Sequence, residues 1–331
     1  MAFYYGKQNA TAARERNFLQ ETTGRESTSG ASTAALSDEV LEARLTEMAG
    51  KALHYKTIMT ISCIIWIGLG YTAYIKYSLL LYLVNFTGFC AFVISMHFWT
   101  SVKKQMKELF SHNIVRGVLE ETLELSDYAP EFHIGPDKIE MSALFKKWSK
   151  CTGSDLIKGK FKGVEFSFSD IHLEQIQKTN KGNSKRTIFK GQWLICKTNR
   201  NVPRLLRLSE RSGSDKWKKS DIETESAAFN KKFHISAPDQ HTAFYVLTPH
   251  FMELIMKLDK RADAQTYMSF IGPYVHIALH NGRDLFEPCE KKIYSKGNIA
   301  ALRSTIKWDV RYITGIMDCL IKNEYLFKKE E

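Results

Sequence analysis

Hydrophobic and polar positions fall into three regimes along the chain. Residues 1 to about 36 show no hydrophobic periodicity and predict a mobile polar N-terminus. From Ser37 the pattern turns helical. Ser37 is a candidate cap, Asp38, Glu39 and Glu42 lie where the helix dipole favours acids, and Leu41, Leu45 and Met48 share a face. An amphipathic helix over 37–56 is expected. It leads into TIMTISCIIWIGLGYTAYI from Thr57, nineteen residues without a charge. At helical rise that run is about 28 Å long, near the thickness of a bilayer core. After Lys76 a second uncharged run extends from Tyr77 to Trp99. Two such runs joined by a residue or two predict a transmembrane hairpin over 57–99.

The flanking residues agree. Tyr71, Tyr74 and Tyr77 gather at the turn and Trp99 closes the second run, as interfacial aromatics do. Lys51, His54 and Lys56 precede the hairpin and Lys103, Lys104 and Lys107 follow it, while the turn holds only Lys76. The positive-inside rule places both outer ends, and so both termini, on the cytoplasmic side of a multi-pass protein. Asn85, Ser62 and Thr87 are candidates for hydrogen bonds across the hairpin, and Gly68, Gly70 and Gly88 for close approach.

Val102, Met106, Leu109, Ile114, Val118, Leu119 and Leu123 continue in helical register, predicting a helical stalk over 100–128. From about 130 the period shortens. Val164, Phe166 and Phe168 share one strand face, but Ile171 and Leu173 have the opposite parity, so a bulge or break is expected near Ser169–Asp170. Residues 233–258 read as strand, loop, strand, then a helix opened by Thr248 and Pro249. Residues 267–279 read as a hairpin across Gly272-Pro273. A closing helix over about 298–327 would bury Ile299, Leu302, Ile306, Val310, Ile313, Met317 and Leu320. The predicted class is α+β: a cytoplasmic domain over 130–331 with a mainly antiparallel sheet and flanking helices.

Composition adds two constraints. With 44% hydrophobic and 25% charged residues the chain is neither collagen-like nor wholly disordered. Six cysteines without a CxxC pair exclude a zinc ribbon and fit a reducing compartment. The formal net charge of +11 has an address. Between Lys178 and Lys219 thirteen Lys and Arg residues face only Glu210 and Asp215, and the rest of the cytoplasmic part is near neutral.

FKGVEFSFSDIHLE (161–174), TIFKGQWLICKT (187–198), AFNKKFHISAPDQHTAFYVLTPHFMELIMKL (228–258) and YMSFIGPYVHIAL (267–279) resemble the bacterial family called domain of unknown function 3137. The resemblance spans roughly 140–325. It implies two N-terminal membrane helices, a cytoplasmic domain and a bacterial inner (cell) membrane. It brings no substrate, cofactor or catalytic residue with it.

Candidate chemistry is sparse. Nucleophile-elbow, P-loop, dinucleotide-binding and zinc-protease motifs are absent, and neither a cofactor nor a metal site is expected. Asp170, His172 and Glu174 alternate on a strand, roughly 6.5–7 Å apart, too far to chelate by themselves; a solvated face is the simpler reading. Asp239 and His241 form a loop suited to acid–base work, or to ordinary Asx-turn bonds. A membrane-tethered hydrolase-like enzyme would need the Asp239/His241 loop to converge with Asp170 or His172. The preferred reading is a binding or scaffolding module. Its Lys181, Lys185, Arg186, Lys190, Arg204, Arg207, Lys216, Lys218 and Lys219 would contact membrane lipids of anionic charge or an acidic protein partner. Nucleic acid is a third candidate ligand.

Overall fold

The computed structural model describes residues 37–76, 79–179, 182–211, 222–287 and 299–327. The predicted mobile N-terminus lies outside them. Two long helices open the described chain, α1 (Asp38–Lys76) and α2 (Leu79–Phe110). Both are long and apolar enough to cross a membrane, and only 6% of each apolar window is buried. Ile61, Ile64, Ile67, Leu83, Phe86 and Ile94 all point outward. The helices touch where the sequence suggested. Asn85 Nδ2 donates to the Trp66 carbonyl at 2.7 Å, Gly70 faces Asn85, and Gly88 backs onto Trp66. By contrast, Thr87 bonds within its own helix to Val84, and Gly68, expected to permit close approach, has open space where a Cβ would stand.

Neither helix stops at the end of its apolar run. The N-terminal half of α1 buries Leu41, Leu45, Ala49 and Ala52. α2 passes through a π-helical turn (Ser111–Val115) into α3 (Arg116–Thr122). The predicted stalk therefore ends at Thr122, and β1 (Glu124–Ala129) turns back along it.

The remaining elements are α4 (Pro136–Met141), β2 (Lys150–Phe161), β3 (Val164–Thr179), β4 (Gly182–Glu210), α5 (Ala227–Lys232), β5 (Phe233–Ser236), α6 (Gln240–Val246), α7 (Pro249–Ala262), β6 (Gln265–His280), α8 (Ile299–Ile321) and α9 (Glu324–Phe327). Every described strand pairing is antiparallel, so the chain is α+β as expected. One edge of β4 pairs first with β3 and, at its far end, with β5; the other edge pairs with β6.

Three sequence expectations change. The irregularity near Ser169–Asp170 sits in the neighbouring strand. β3 pairs with β4 without a shift there, while β2 slips between Ser154 and Ile157, with Asp155 at φ +58°. The parity of apolar residues switches because the sheet is covered on both faces. Residues 267–279 form one strand, not a hairpin. β6 bends at Gly272 (φ +56°), and it is β4 that carries extra residues opposite, around Pro203. Finally, the loop and second strand read from 237–247 are helix α6. Asp239 caps it, and Thr242, Ala243 and Val246 supply its buried side.

On one sheet face Trp193 is fully buried, with Phe189 and Phe145 centroids 5.5 and 5.9 Å away. Its indole Nε1 lies 3.5 Å from Nδ1 of buried His276, whose imidazole burial holds neutral by lowering its pKa to about 4. α7 and α8 cover the other face, through contacts such as Phe251–Phe270. All seven residues predicted for the buried stripe of α8 are buried, but the single helix expected to about 327 ends at Ile321, and α9 starts afresh after Asn323, whose side chain accepts from the Leu326 amide.

Trp193→Ala is expected to lower stability by about 3–5 kcal/mol. Trp308→Ala, which removes a side chain 58% exposed, should cost less than about 1 kcal/mol. Thermal unfolding of the detergent-solubilised full chain compares them, and equal losses would show that Trp193 does not anchor the core.

Candidate functional site

β4 carries most of the basic stretch and spreads it widely. From Lys185 to Arg207 the strand covers roughly 70 Å of contour, so these cations do not form one patch. Lys185 and Arg186 are exposed. Lys190 pairs with Asp284 at 3.1 Å, Lys197 with Glu165 at 3.2 Å and Arg204 with Asp239 at 3.0 Å. Arg200 stacks over the Tyr325 ring at 4.3 Å. Arg207 turns inward, where its guanidinium donates to the Ala143 carbonyl and Ser236 Oγ, and burial lowers its pKa. Lys181, Lys216, Lys218 and Lys219 lie outside the described residues.

The candidate acid–base residues occupy two separate places. Asp239 accepts at Oδ1 from the Thr242 amide at 2.7 Å and at Oδ2 from Arg204. That capping bond, helped by Arg204, holds its carboxyl below the usual carboxylate range. His241 is exposed on the first turn of α6. Asp170 accepts at Oδ1 from Gln192 Nε2 at 3.1 Å and at Oδ2 from the Leu285 amide at 2.8 Å. His172 Nε2 sits 3.1 Å from Thr187 Oγ1. Gln192 and Arg204, the partners of the two aspartates, are separated by about 40 Å of strand. The two pairs share no hydrogen-bond partner among the described residues.

The simpler reading of Asp170, His172 and Glu174 as a solvated face is also revised. Asp170 is 2% exposed, because residues 281–287 fold over it. That loop is fastened by a polar network. Gln192 Nε2 donates to the Arg283 carbonyl, Asn281 Nδ2 donates to Gln192 Oε1, and the Phe286 amide donates to Asp309. Asp155 lies nearby, accepting from Tyr128 Oη at 2.9 Å, and Lys107 reaches over it to Glu287 at 2.8 Å. Burial drives Asp170 well above the usual carboxylate range and Asp155 and Asp309 each to about 6. Sequence reasoning missed this belt. Its signal was the Asn281-Gly282 turn and a lone Asp in an otherwise apolar α8 stripe. Among the described residues no three His, Cys, Asp or Glu side chains gather closely enough to hold a metal ion.

A family model described as Protein of unknown function (DUF3137) matches residues 187–322, within the span of the resemblance read from the sequence. No curated protein matches the chain. Among solved structures, the crystal structure of the mycobacterial trehalose monomycolate transport factor A matches at a TM-score of 0.31 and 9% identity. The match covers 61% of this chain and 95% of that one, a likeness too loose to carry an argument.

The raised carboxyls make stability depend on pH. Between their unfolded value near 3.8 and about 6, Asp155 and Asp309 bind more protons folded than unfolded, so stability falls as pH rises through that window. Relative to Asp155→Asn/Asp309→Asn, the native chain should lose on the order of 1–2 kcal/mol per carboxyl between about pH 4 and pH 7. The difference in Tm between the two chains at each pH measures this. A difference that does not change with pH would contradict it.

Proposed function

We propose that the chain is a multi-pass protein of a bacterial inner membrane, with both termini cytoplasmic. Its α+β domain is a binding or scaffolding module, and its basic stretch meets anionic lipid or an acidic protein partner. The observation that carries this reading is the outward-facing apolar band on α1 and α2. Apolar surface on that scale is costly in water and favourable in lipid. The same two helices continue into segments that pack against the domain, α2 through its π-helical turn, so the anchor and the module are joined by helix. The lysine asymmetry about the apolar runs supports the orientation.

Asp239 and Asp170 are held by partners far apart on β4, Arg204 and Gln192, which gives no support to a hydrolase-like reading. Ion pairing and burial of Lys190, Arg204 and Arg207 leave less of the stretch for a nucleic-acid backbone than its charge suggests.

A reporter active only outside the cytoplasm, inserted after Lys76, should be active, and the same reporter fused after Glu331 should be silent. Equal activity at the two positions would sink the two-span topology.

A further inference from the structure

β2 stops pairing with β3 at Lys150–Glu174, and β6 stops pairing with β4 at Gly191–His280. From Gln175–Arg186 to Thr179–Gly182 the two strands have only each other in the sheet. Such a ribbon gains little stability by itself. Ile176 is 38% exposed, and Gln177, Ser184, Lys185 and Arg186 are exposed. In sequence, residues 175–187 contain four basic residues and no acid. Neither Lys185 nor Arg186 makes an ion pair with a described residue.

The ribbon's direction follows from the strand order. α2 leaves its apolar run at Trp99, whose ring Lys103 covers at 4.7 Å, and reaches Ser111 after twelve residues, about 18 Å further on. β1 turns back along α2 and α3, bringing Tyr128 beside Ser111 and onto Asp155. Because β1–β2 and β2–β3 are both antiparallel, β3 runs the same way as β1, towards the Trp99 end of α2. The Ser154–Asp170 pairing sets Asp170 at the level of Asp155. From Asp170 to Thr179 the strand then covers about 30 Å, or about 20 Å along α2 if inclined by about 45°. Either figure equals or exceeds the roughly 18 Å between Ser111 and Trp99. Thr179 therefore arrives at about the height of the interfacial tryptophan; Ile176 and Lys185, six residues beyond Asp170, cover about 20 Å, or about 14 Å if inclined, and so lie within a Debye length of that level.

We propose that this β3–β4 ribbon, through Lys185, Arg186 and the exposed Ile176, docks on the surface of an anionic bilayer, while the rest of the basic stretch serves internal ion pairs. The proposal rests on the membrane-anchored reading above and names the part of the chain that touches lipid. The test uses the full chain in nanodiscs of neutral lipid and of neutral lipid with about one-third phosphatidylglycerol, each doped with a headgroup-nitroxide lipid. An azide-bearing residue replaces Ser184, or in a control Lys322 at the far end of α8, and is labelled with a fluorophore. In anionic discs the label at 184 should be quenched about threefold or more above that at 322. Lys185→Glu/Arg186→Glu should bring that ratio close to one while the chain stays in the disc. Equal quenching at 184 and 322, or quenching at 184 that is indifferent to phosphatidylglycerol and to charge reversal, would overturn the proposal. Failure of the chain to enter discs at all would instead count against the membrane-anchored reading.

Discussion

The backbone hydrogen bonding of β4 is the constraint on which the domain depends. A strand of 29 residues exposes donors and acceptors along both edges, and each buried one must find a partner. β3 and β5 share one edge and β6 takes the other, so three other strands are positioned by this one segment. Where its neighbours need fewer residues than β4 supplies, β4 buckles around Pro203. Where they crowd it, Gly191 at φ +150° lets the Leu279 carbonyl approach to a point that a Cβ would occupy. Trp193, two residues on, fills the face thus brought close.

The same segment carries the charge, and the fold disperses it. Within 178–219 only two acids oppose thirteen cations. Asp284, Glu165 and Asp239 come from a loop, a neighbouring strand and a helix cap to neutralise three of those cations. Surface pairs of this kind add little stability, but they decide which cations remain for a ligand. Lys185 and Arg186, which form no ion pair with a described acid, lie on the ribbon that outruns its neighbours, and strand direction turns that ribbon towards the apolar stretch of α2.

A second tension sits beneath residues 281–287. Asp155, Asp170 and Asp309 lose water when the loop closes, and their hydrogen bonds offset only part of the cost, so their pKa values rise. Asp155 additionally occupies a left-handed backbone position at the β2 bulge, where Asp is among the better tolerated residues. The network ties α2, the sheet and α8 together, and the second apolar helix is thereby coupled to the domain core.

Local periodicity was sufficient for the two apolar helices, the stripe of α8, the Thr248–Pro249 helix start and the antiparallel α+β class, because each depends on a repeat or cap contained in a few residues. Residues 237–247 failed that test. A short amphipathic helix and a strand look alike over seven residues, and the Asp239 cap decided between them. The apolar parity switch at 168–171 was legible, but its cause was not, since it reflects two buried faces and a bulge in another strand. Which cations are neutralised, which carboxylates are buried and which hairpin extends beyond the rest of the sheet were all set by tertiary structure. Each depends on partners that are remote in sequence and brought together only by strand order and register.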